Sequence, residues 1–340
     1  MQKNEEILRF IQANPGLSSK EIHENIGMDI SYATVKRMLS KFVSENLVQA
    51  EKRKYTLAPT YSLFHNIDMD DYFQKEIDER TIQKNFNFGL LDILRGNLNL
   101  FTEEESVRLE ELQRTFRINI SHLSETEYAK EMERLAIDLS WKSSQIEGNT
   151  YSLLETENLL REKETAAGKT KEEAIMLLNH KDALDFILQH PDYLSPLSTA
   201  KIEDTHRILV KELGVDRNIR TRKVGITGTN YTPLDNEFQI REALQTTCNI
   251  INKRENVFEK AFLALALLSY IQPFGDGNKR TARIVSNAIL LANSYCPLSF
   301  RTVDSIDYKK AMLLFYEQNN LIALKKIYIE QVDFAVKTYF

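Results

Sequence analysis

Two helices separated by a glycine-containing turn are recognisable in one stretch of the chain, 261-AFLALALLSYI-QPFGDGN-KRTARIVSNAILL-291. Residues 261–271 are apolar on nearly every face of a helix, so this helix must be buried on all sides. The pattern breaks at residues 272–278, which contain a proline and two glycines. Apolar residues then recur at helical spacing and predict a second helix over 279–291.

The turn between these helices has the features of an anion site. A loop that leads into a helix N-terminus leaves backbone N–H groups unpaired, and the helix dipole favours negative charge there. Arg280 and Arg283 lie three residues apart beside the loop, where they can bind phosphate oxygens. Asp276 is a hard oxygen ligand suited to a magnesium ion that bridges phosphates. The sequence therefore predicts a polyphosphate site, and the Gly-x-x-x-x-Gly-Lys-Ser/Thr pattern of a Walker loop is absent.

The same turn carries a resemblance to a known family. Gln272-Pro-Phe-Gly-Asp-Gly-Asn-Lys-Arg-Thr-Ala-Arg283 resembles the signature of the Fic/Doc (Fido) family, His-x-Phe-x-Asp/Glu-Gly-Asn-Gly-Arg-x-x-Arg. That family typically transfers the AMP part of ATP to a protein hydroxyl. The resemblance implies a mainly α fold in which a Fic-type helical core carries a small β-hairpin flap. It also implies ATP and Mg²⁺ as cofactors and a protein target as partner.

The resemblance further implies a role for each residue of the turn. Phe274 would anchor the turn in the core, and Asp276 would hold the magnesium ion. The residues that would contact the nucleotide are Gly275, Gly277, Asn278, Lys279, Arg280 and Arg283. Among them, Gly277 and Asn278 would line the α-phosphate, while Arg280 and Arg283 would bind the outer phosphates. Residues 220–231 resemble the flap that docks the target, with Val224, Ile226 and Tyr231 as the candidate docking residues.

Two positions of the motif depart from the family pattern. Gln272 stands where the family has the histidine that acts as general base, and a carboxamide cannot accept that proton. Losing a general base typically lowers the rate by about 10²- to 10⁴-fold. Lys279 stands where adenylylating members usually have glycine, as in the Doc branch, which transfers phosphate instead. Arg283 is retained as in adenylylating members, so the motif leaves the reaction type open.

A second motif precedes the core. Ser143-Ser-Gln-Ile-Glu-Gly-Asn149 resembles the family's inhibitory motif, Ser/Thr-x-x-x-Glu-Gly/Asn. Ser143 and Glu147 are four residues apart on one helical face, and Gly148 is a natural helix end. The resemblance implies that Glu147 pairs with Arg283 and leaves ATP in a non-productive pose. The alternative is a glutamate at an exposed helix terminus without a partner.

The N-terminal residues predict a winged helix-turn-helix. Helical periodicity over residues 4–14, 20–26 and 31–43 is followed by two short strands around the basic tip Lys52–Lys54. In such modules the third helix enters a major groove and the wing touches backbone phosphate. The candidate DNA contacts are Tyr32, Thr34, Lys36, Arg37, Lys41, Lys52, Arg53 and Lys54. Protein docking or dimerisation is the alternative use of this module.

Length and composition set the domain organisation. The chain has 340 residues, 42% of them hydrophobic, with a net charge of −5 and only 11 glycines and seven prolines, which favours long helices over an all-β fold. We expect a winged helix over 1–58, a helical adaptor over 59–134 whose aromatics are packing residues, and a Fic domain over 135–340 with its inhibitory helix near 135–148. The absence of a membrane-length apolar stretch, the lack of a signal core and two lone cysteines predict a cytoplasmic protein.

The leading hypothesis is an ATP- and Mg²⁺-binding Fic-fold protein that resembles protein adenylyltransferases. Its transfer would be inhibited by Glu147 and impaired by Gln272. One alternative is a DNA-binding transcriptional regulator whose Fic domain is a nucleotide sensor, and another is a Doc-like protein phosphotransferase. The sequence leaves the target, the DNA sequence and a homodimer open.

Overall fold

Three helices and a small antiparallel sheet form the N-terminal domain in the computed structural model, which describes residues 2–96 and 98–340. The elements are α1 (Gln2–Ala13), β1 (Leu17–Ser18), α2 (Ser19–Asn25), α3 (Tyr32–Ser44), β2 (Val48–Glu51) and β3 (Lys54–Leu57). The strands are ordered β1-β3-β2, so the predicted wing pairs with a third strand ahead of α2. The predicted winged helix is confirmed; its residue 1, and residue 97 of the predicted adaptor, lie outside the described residues.

Side-chain caps fix the helix starts of this domain. Ser18 accepts a hydrogen bond from the Glu21 backbone while Glu21 accepts one from Ser18, which completes a capping box ahead of α2. Ser31 caps α3 by accepting a hydrogen bond from the Thr34 backbone N–H. The buried faces of the helices then share one small core, which includes Ile7, Ile22, Val35, Leu39 and Phe42.

The connecting region consists of several short elements. They are α4 (Tyr61–Phe64), α5 (Met69–Gln74), a 3₁₀ helix (Ile77–Glu79), α6 (Phe88–Arg95) and α7 (Glu103–Ser121). The segments between them bond to the C-terminal helices: the Gln83 N–H donates to the Glu317 carbonyl, and Asn320 donates to the His65 carbonyl. A capping box of Thr102 and Glu105 begins α7.

Nine further helices form the C-terminal part of the chain. They are α8 (Glu125–Ile146), α9 (Leu153–Glu162), α10 (Lys171–Gln189), α11 (Thr199–Leu209), α12 (Glu237–Lys253), α13 (Val257–Ile271), α14 (Asn278–Ala292), α15 (Ser305–Gln318) and α16 (Ile322–Tyr339). Helix α13 lies at the centre of this core and packs against α12, α14, α15 and α16. All its residues from Ala261 to Ile271 are buried, as their apolar pattern predicts. Helix α8 begins ten residues before the expected boundary at 135 and carries the Ser143–Glu147 motif at its C-terminal end.

The flap segment is an irregular loop and lacks the regular hairpin that the resemblance implies. Within the described residues, 220–231 contain a turn near Gly228 but no strand, and the neighbouring Thr232 forms one isolated bridge to Asn85. Arg220 explains the shape, because its backbone N–H bonds to the Pro273 carbonyl and its guanidinium bonds to the carbonyls of Gln272 and Leu234. The segment is therefore held against the turn after α13 instead of pairing with itself.

None of the helices in residues 2–96 and 98–340 combines the length and the apolar content needed to cross a lipid bilayer.

A buried ion pair ties the connecting region to the flap and to α15. Arg80 Nη1 lies 3.1 Å from Glu317 Oε1, and the two side chains are 6% and 0% exposed. Tyr72 donates its hydroxyl to Glu317 Oε2 at 2.7 Å, and Arg80 Nη2 donates to the Gly228 carbonyl at 3.1 Å. One carboxylate thus positions three separate segments of the chain.

We expect Arg80→Met to lower the free energy of unfolding by about 3 kcal/mol or more, because it leaves the Glu317 carboxylate buried with its charge uncompensated. Chemical denaturation measures the change. Arg95→Met is the matched control, since Arg95 pairs with Asp92 at the surface, where both side chains are more than half exposed, and such pairs contribute roughly 0–1 kcal/mol. Equal effects of the two substitutions would contradict the role of this pair.

Candidate functional site

A cavity of about 350 Å³ opens between the turn after α13, the flap segment, the end of α8 and one face of α15. The residues that line it are Ile146, Glu147, Val224, Gly225, Ile226, Thr227, Gln272, Gly275, Asp276, Gly277, Asn278, Lys279, Tyr308, Lys309, Met312, Leu313 and Tyr316. The structure thus brings the predicted motif, the predicted inhibitory glutamate and two of the predicted flap residues to one cavity.

The turn is braced by its own asparagine. Asn278 Oδ1 accepts from the Phe274 N–H at 2.8 Å, and Asn278 Nδ2 donates to the Phe274 carbonyl at 2.9 Å. Gln272 ends α13 with φ 51°, and Gly277 begins α14 with φ 75°. A Cβ at Gly277 would lie 3.2 Å from the Val210 side chain, so both the backbone conformation and the space favour glycine there. The start of α14, with its unpaired N–H groups, therefore faces the cavity in a fixed position.

His206 supports the turn from behind. Its ring stacks on Phe274 with the centroids 3.7 Å apart and the planes at 5°, and its Nε2 donates to the Asp276 carbonyl at 2.9 Å. Burial lowers the pKa of His206 to about 4, so its imidazole is neutral at physiological pH. Phe274 is fully buried, as its predicted anchoring role requires. Sequence reasoning missed His206 because nothing local links α11 to the turn.

The two arginines of the motif have different partners. Arg280 Nη2 lies 3.1 Å from Asp276 Oδ2, so the carboxylate predicted to hold a metal already faces a cation. Arg283 donates through Nε to Ser143 Oγ at 2.8 Å and through Nη2 to the Ser143 carbonyl at 3.0 Å. Both guanidinium groups are almost completely buried. They are therefore held in the protein behind the residues that line the cavity, with Arg283 reaching it through its contact with Glu147.

Glu147 lies between two cations. Its Oε1 is 2.9 Å from Arg283 Nη2, and its Oε2 is 3.3 Å from Lys279 Nζ. Burial alone would raise the pKa of Glu147, but the charges of Arg283 and Lys279 outweigh it and hold the pKa at about 2. The structure thus places Ser143, Glu147 and Arg283 together, as the motif predicts. The contact with Lys279 was not predicted.

Gln272 is 8% exposed, and its side-chain amide forms a hydrogen bond with the last turn of α13. The side-chain Nε2 of Gln272 donates to the Ser269 carbonyl at 2.6 Å. The backbone carbonyl of Gln272 accepts from Arg220 Nε at 2.6 Å. A carboxamide in this position has no proton-accepting group that titrates near neutrality. The side chain thus lines the cavity as a neutral polar group.

Helix α15 forms a wall that sequence reasoning missed. Tyr308, Met312 and Tyr316 recur every four residues and face the cavity, and the Arg283 Cζ lies 5.5 Å from the centroid of the Tyr308 ring. The four-residue spacing could have placed these three residues on one helix face. It could not have shown that this face lines the cavity.

One flap residue lies away from the cavity. Tyr231, predicted to dock a target, is 2% exposed, donates its hydroxyl to the Tyr270 carbonyl at 3.1 Å and stacks on the Tyr270 ring. That prediction is wrong, because the aromatic ring is more stable in the core than at the surface. Val224 and Ile226 do line the cavity and are half-buried.

A magnesium ion fits the turn only as part of a complex. The described residues contain no group of three or more His, Cys, Asp or Glu side chains that could hold a metal by themselves. Asp276, whose side chain is 66% exposed, can supply one oxygen ligand. An ion there would take its remaining ligands from phosphates and water, which is how Mg²⁺ is usually bound beside a nucleotide.

The basic residues of the N-terminal domain are at its surface. Lys36, Arg37 and Lys41 lie exposed on α3, and Lys52, Arg53 and Lys54 lie exposed at the wing. Lys52 and Arg53 form the wing turn with φ 49° and 65°. Thr34 is half-buried and bonds to Ser31, whereas the hydroxyl of Tyr32 lies 3.0 Å from that of Ser19. The six cations are therefore the better placed of the predicted DNA contacts.

A second, larger cavity of about 540 Å³ lies between the N-terminal domain, the start of α7 and α16. Its one cation among the described residues, Lys325, already pairs with Glu105 at 2.7 Å. Its other charged lining residues are glutamates, which disfavour a phosphate ligand. The smaller cavity is therefore the better candidate for an anion, because the start of α14 and the Lys279 cation line it.

The Glu147 contact makes a pH-dependent contribution to stability. Because its folded pKa of about 2 lies below its ordinary value of 4.5, the contribution is complete above pH 4.5 and is lost as the pH falls towards 2. We expect Glu147→Gln to lower the free energy of unfolding by about 3 kcal/mol at pH 7, and urea titrations should show this difference shrinking below pH 4.5. Glu162→Gln, at an exposed position of α9, is the control. A difference that stays constant down to pH 3 would contradict the ion pair.

Two families match different parts of the chain. Residues 196–290 match the Fic/DOC family, and residues 2–112 match the penicillinase repressor family. The chain is 28% identical over 174 residues to protein adenylyltransferase Fic of Nematostella vectensis, covering 49% of this chain and 40% of that protein. It is 27% identical over 163 residues to protein adenylyltransferase fic-1 of Caenorhabditis elegans, covering 45% and 31%. The chain thus spans less than half the length of these curated relatives.

Solved structures support the fold. Fic-1 from C. elegans superposes with a TM-score of 0.60 at 22% identity, covering 69% of this chain and 71% of that one. A Fic domain containing signaling protein from Bacteroides thetaiotaomicron gives 0.55 at 20% identity, covering 68% and 97%. These likenesses, together with the two family matches, show that the chain carries a Fic/DOC family domain in its C-terminal part and a winged-helix domain of the penicillinase repressor kind at its N-terminus.

Proposed function

We propose that this chain binds ATP with Mg²⁺ at the turn after α13 and is built on the chemistry of protein AMP transfer, with the transfer step impaired. The observation that carries the proposal is the Arg283–Glu147 contact at 2.9 Å inside the motif cavity. The adenylyltransferase relatives support the nucleotide and the reaction class. The fixed start of α14 and the buried arginines provide the donors that a polyphosphate requires.

In this proposal different residues of the chain bind the phosphates, the metal ion and the target protein. The N–H groups at the start of α14 and the guanidinium of Arg283 bind phosphate oxygens, while Asp276 holds Mg²⁺, which neutralises phosphate charge when bound. Val224 and Ile226 of the flap pack against a docked segment of a target protein. Gln272 contacts the reacting region but cannot take a proton from the target hydroxyl, so transfer is slow.

Glu147 restrains the nucleotide in the same proposal. It occupies the Nη2 donor of Arg283 and the ammonium of Lys279, and both would otherwise be available to outer phosphates. ATP that binds while Glu147 is in place cannot use these donors and takes another pose. Removal of the carboxylate therefore increases both affinity and the fraction of productive complexes.

We expect Glu147→Gly to tighten ATP binding about tenfold, since one charge-assisted contact becomes available to the phosphates. Adding Gln272→His should then raise self-modification by about 10²- to 10⁴-fold over Glu147→Gly alone. Calorimetry measures the first effect, and intact mass after incubation with ATP and Mg²⁺ measures the second. Glu162→Gly, on the exposed surface of α9, is the control.

The mass increment separates the possible reactions. An AMP increment supports adenylylation, whereas a phosphate increment supports the Doc-like alternative that Lys279 suggests. Unchanged ATP affinity in Glu147→Gly would contradict the inhibitory role, and rapid transfer by the unaltered protein would contradict the impairment by Gln272.

A second function, DNA binding by the N-terminal domain, is favoured by the six exposed cations on α3 and the wing and by the match to a repressor family. In this proposal α3 enters a major groove and the wing contacts backbone phosphate. The Fic domain then acts as the nucleotide-sensing part of a regulator. Both proposals use the same ATP site.

We expect the triple variant Lys52→Asn, Arg53→Asn and Lys54→Gln to weaken DNA binding and to lower the salt dependence, by about 0.9 in slope for each phosphate that the wing no longer neutralises. Asparagine is chosen for the first two positions because it tolerates the left-handed backbone of the wing turn. A mobility-shift series from low to high salt measures both effects. Neutralising Lys171, Lys253 and Lys326, which are exposed on the C-terminal helices, is the control. An unaltered salt slope in the wing variant would count against phosphate contact.

A further inference from the structure

Two tyrosines of the α15 wall have hydroxyls that the described part of the chain leaves without a hydrogen-bond partner. Tyr308 and Tyr316 are both 0% exposed, and both line the cavity that contains Glu147. A buried hydroxyl without a partner is unfavourable, and nearly all such groups in folded proteins are satisfied. Two of them in one cavity therefore require an explanation.

A third donor at the same place is also unsatisfied. Arg283 uses Nε and Nη2 on Ser143 and Glu147, but its Nη1 is buried and has no acceptor within the described residues. The Arg283 guanidinium lies beside the Tyr308 ring at 5.5 Å. Near Glu147, the N–H and O–H donors of the described residues thus outnumber the acceptors.

The charge on Glu147 raises the pKa of both phenols. Burial is the main cause that raises the pKa of Tyr308 and of Tyr316, and the Glu147 carboxylate raises both further. The Arg283 guanidinium opposes the shift at Tyr308, and the neighbouring Tyr308 phenol adds to the shift at Tyr316. Arg283 lies near the Tyr308 hydroxyl and Gln272 near the Tyr316 hydroxyl, but neither pair meets hydrogen-bond geometry. Both hydroxyls therefore stay protonated throughout the physiological range. They can donate hydrogen bonds to an anion, but they cannot act as a base in place of Gln272.

We propose that Tyr308 and Tyr316 are ligand-recognition residues whose hydroxyls donate hydrogen bonds to phosphate oxygens of the nucleotide when the ligand replaces the Glu147 carboxylate. The proposal rests on ATP being the ligand of the proposed function and adds two neutral donors to the cations of the motif. A phosphate has enough oxygen acceptors to satisfy the Arg283 Nη1 donor and both phenols at once, which a single carboxylate does not.

Tyr328 provides a matched comparison within the same chain. Its hydroxyl is also buried without a partner among the residues described, and its ring is 0% exposed. It packs against Phe101 and Phe262 in the core and does not line the cavity. Removing this hydroxyl tests the effect of a Tyr→Phe change on the fold without touching the proposed ligand.

The experiment compares Tyr308→Phe, Tyr316→Phe and Tyr328→Phe in the full chain carrying Glu147→Gly. Calorimetry with ATP and Mg²⁺ measures affinity, and thermal unfolding without nucleotide measures stability. We expect ATP affinity to fall about tenfold or more in each of the first two variants, the usual effect of losing a hydrogen bond to a charged group, and to stay unchanged in Tyr328→Phe. The unfolding temperature of the ligand-free protein should stay level or rise in all three, because each loses an unsatisfied polar group.

Several results would overturn the inference. A clear drop in the unfolding temperature of ligand-free Tyr308→Phe or Tyr316→Phe would show that the hydroxyl has a partner within the protein. Unaltered ATP affinity in both variants would remove the recognition role while leaving the proposed ATP site intact. If the Glu147→Gly protein binds no ATP at all, the proposed function fails and this inference fails with it.

Discussion

A guanidinium group with no exposure to solvent is the constraint on which the site depends. Arg283 is always charged, and burying it is favourable only where carboxylate and hydroxyl groups compensate it. Helix α14 places Arg283 inside the core, and the last turn of α8 supplies Ser143 and Glu147 against it. The end of α8, the start of α14 and the wall of α15 are therefore held together by the requirements of one side chain. Any ligand that enters must satisfy the same charge.

The fully apolar α13 makes that burial possible. Because all its faces are covered, the chain that leaves it must emerge from the centre of the core and enter α14 within a few residues. Only Gly275 and Asp276 of the turn are exposed, so Asn278 satisfies the buried backbone of Phe274 from within. The remaining N–H groups at the start of α14 face the cavity. An anion site is thus a direct consequence of placing a polar turn between two buried helices.

Local signals in the sequence were enough to predict much of the fold and of the candidate site. The apolar run of α13, the predicted helices of the N-terminal domain, and the four-residue spacing of Ser143 and Glu147 all depend on neighbours in the chain, and the structure has them as predicted. What the sequence could not provide depends on contacts between distant segments. His206 reaches Phe274 from α11, Tyr231 is drawn into the core by Tyr270, and α15 covers the cavity only because α13 and α16 position it. The flap is irregular for the same reason, since Arg220 bonds to the turn after α13 and the segment does not pair with itself.

The position of Lys279 is also related to the buried charge of Arg283, because both cations contact Glu147. Where the family signature has glycine, this chain has a cation whose Nζ lies 3.3 Å from Glu147, with side-chain exposures of 24% and 18%. Glu147 therefore pairs with two cations, one fully buried and one partly so. A phosphate that displaces the carboxylate would leave neither cation unpaired, because it brings at least as much negative charge to the same place. The arrangement with Glu147 in place and the arrangement with phosphate then differ by the exchange of one anion for another, and the buried Arg283 has an anionic partner in both.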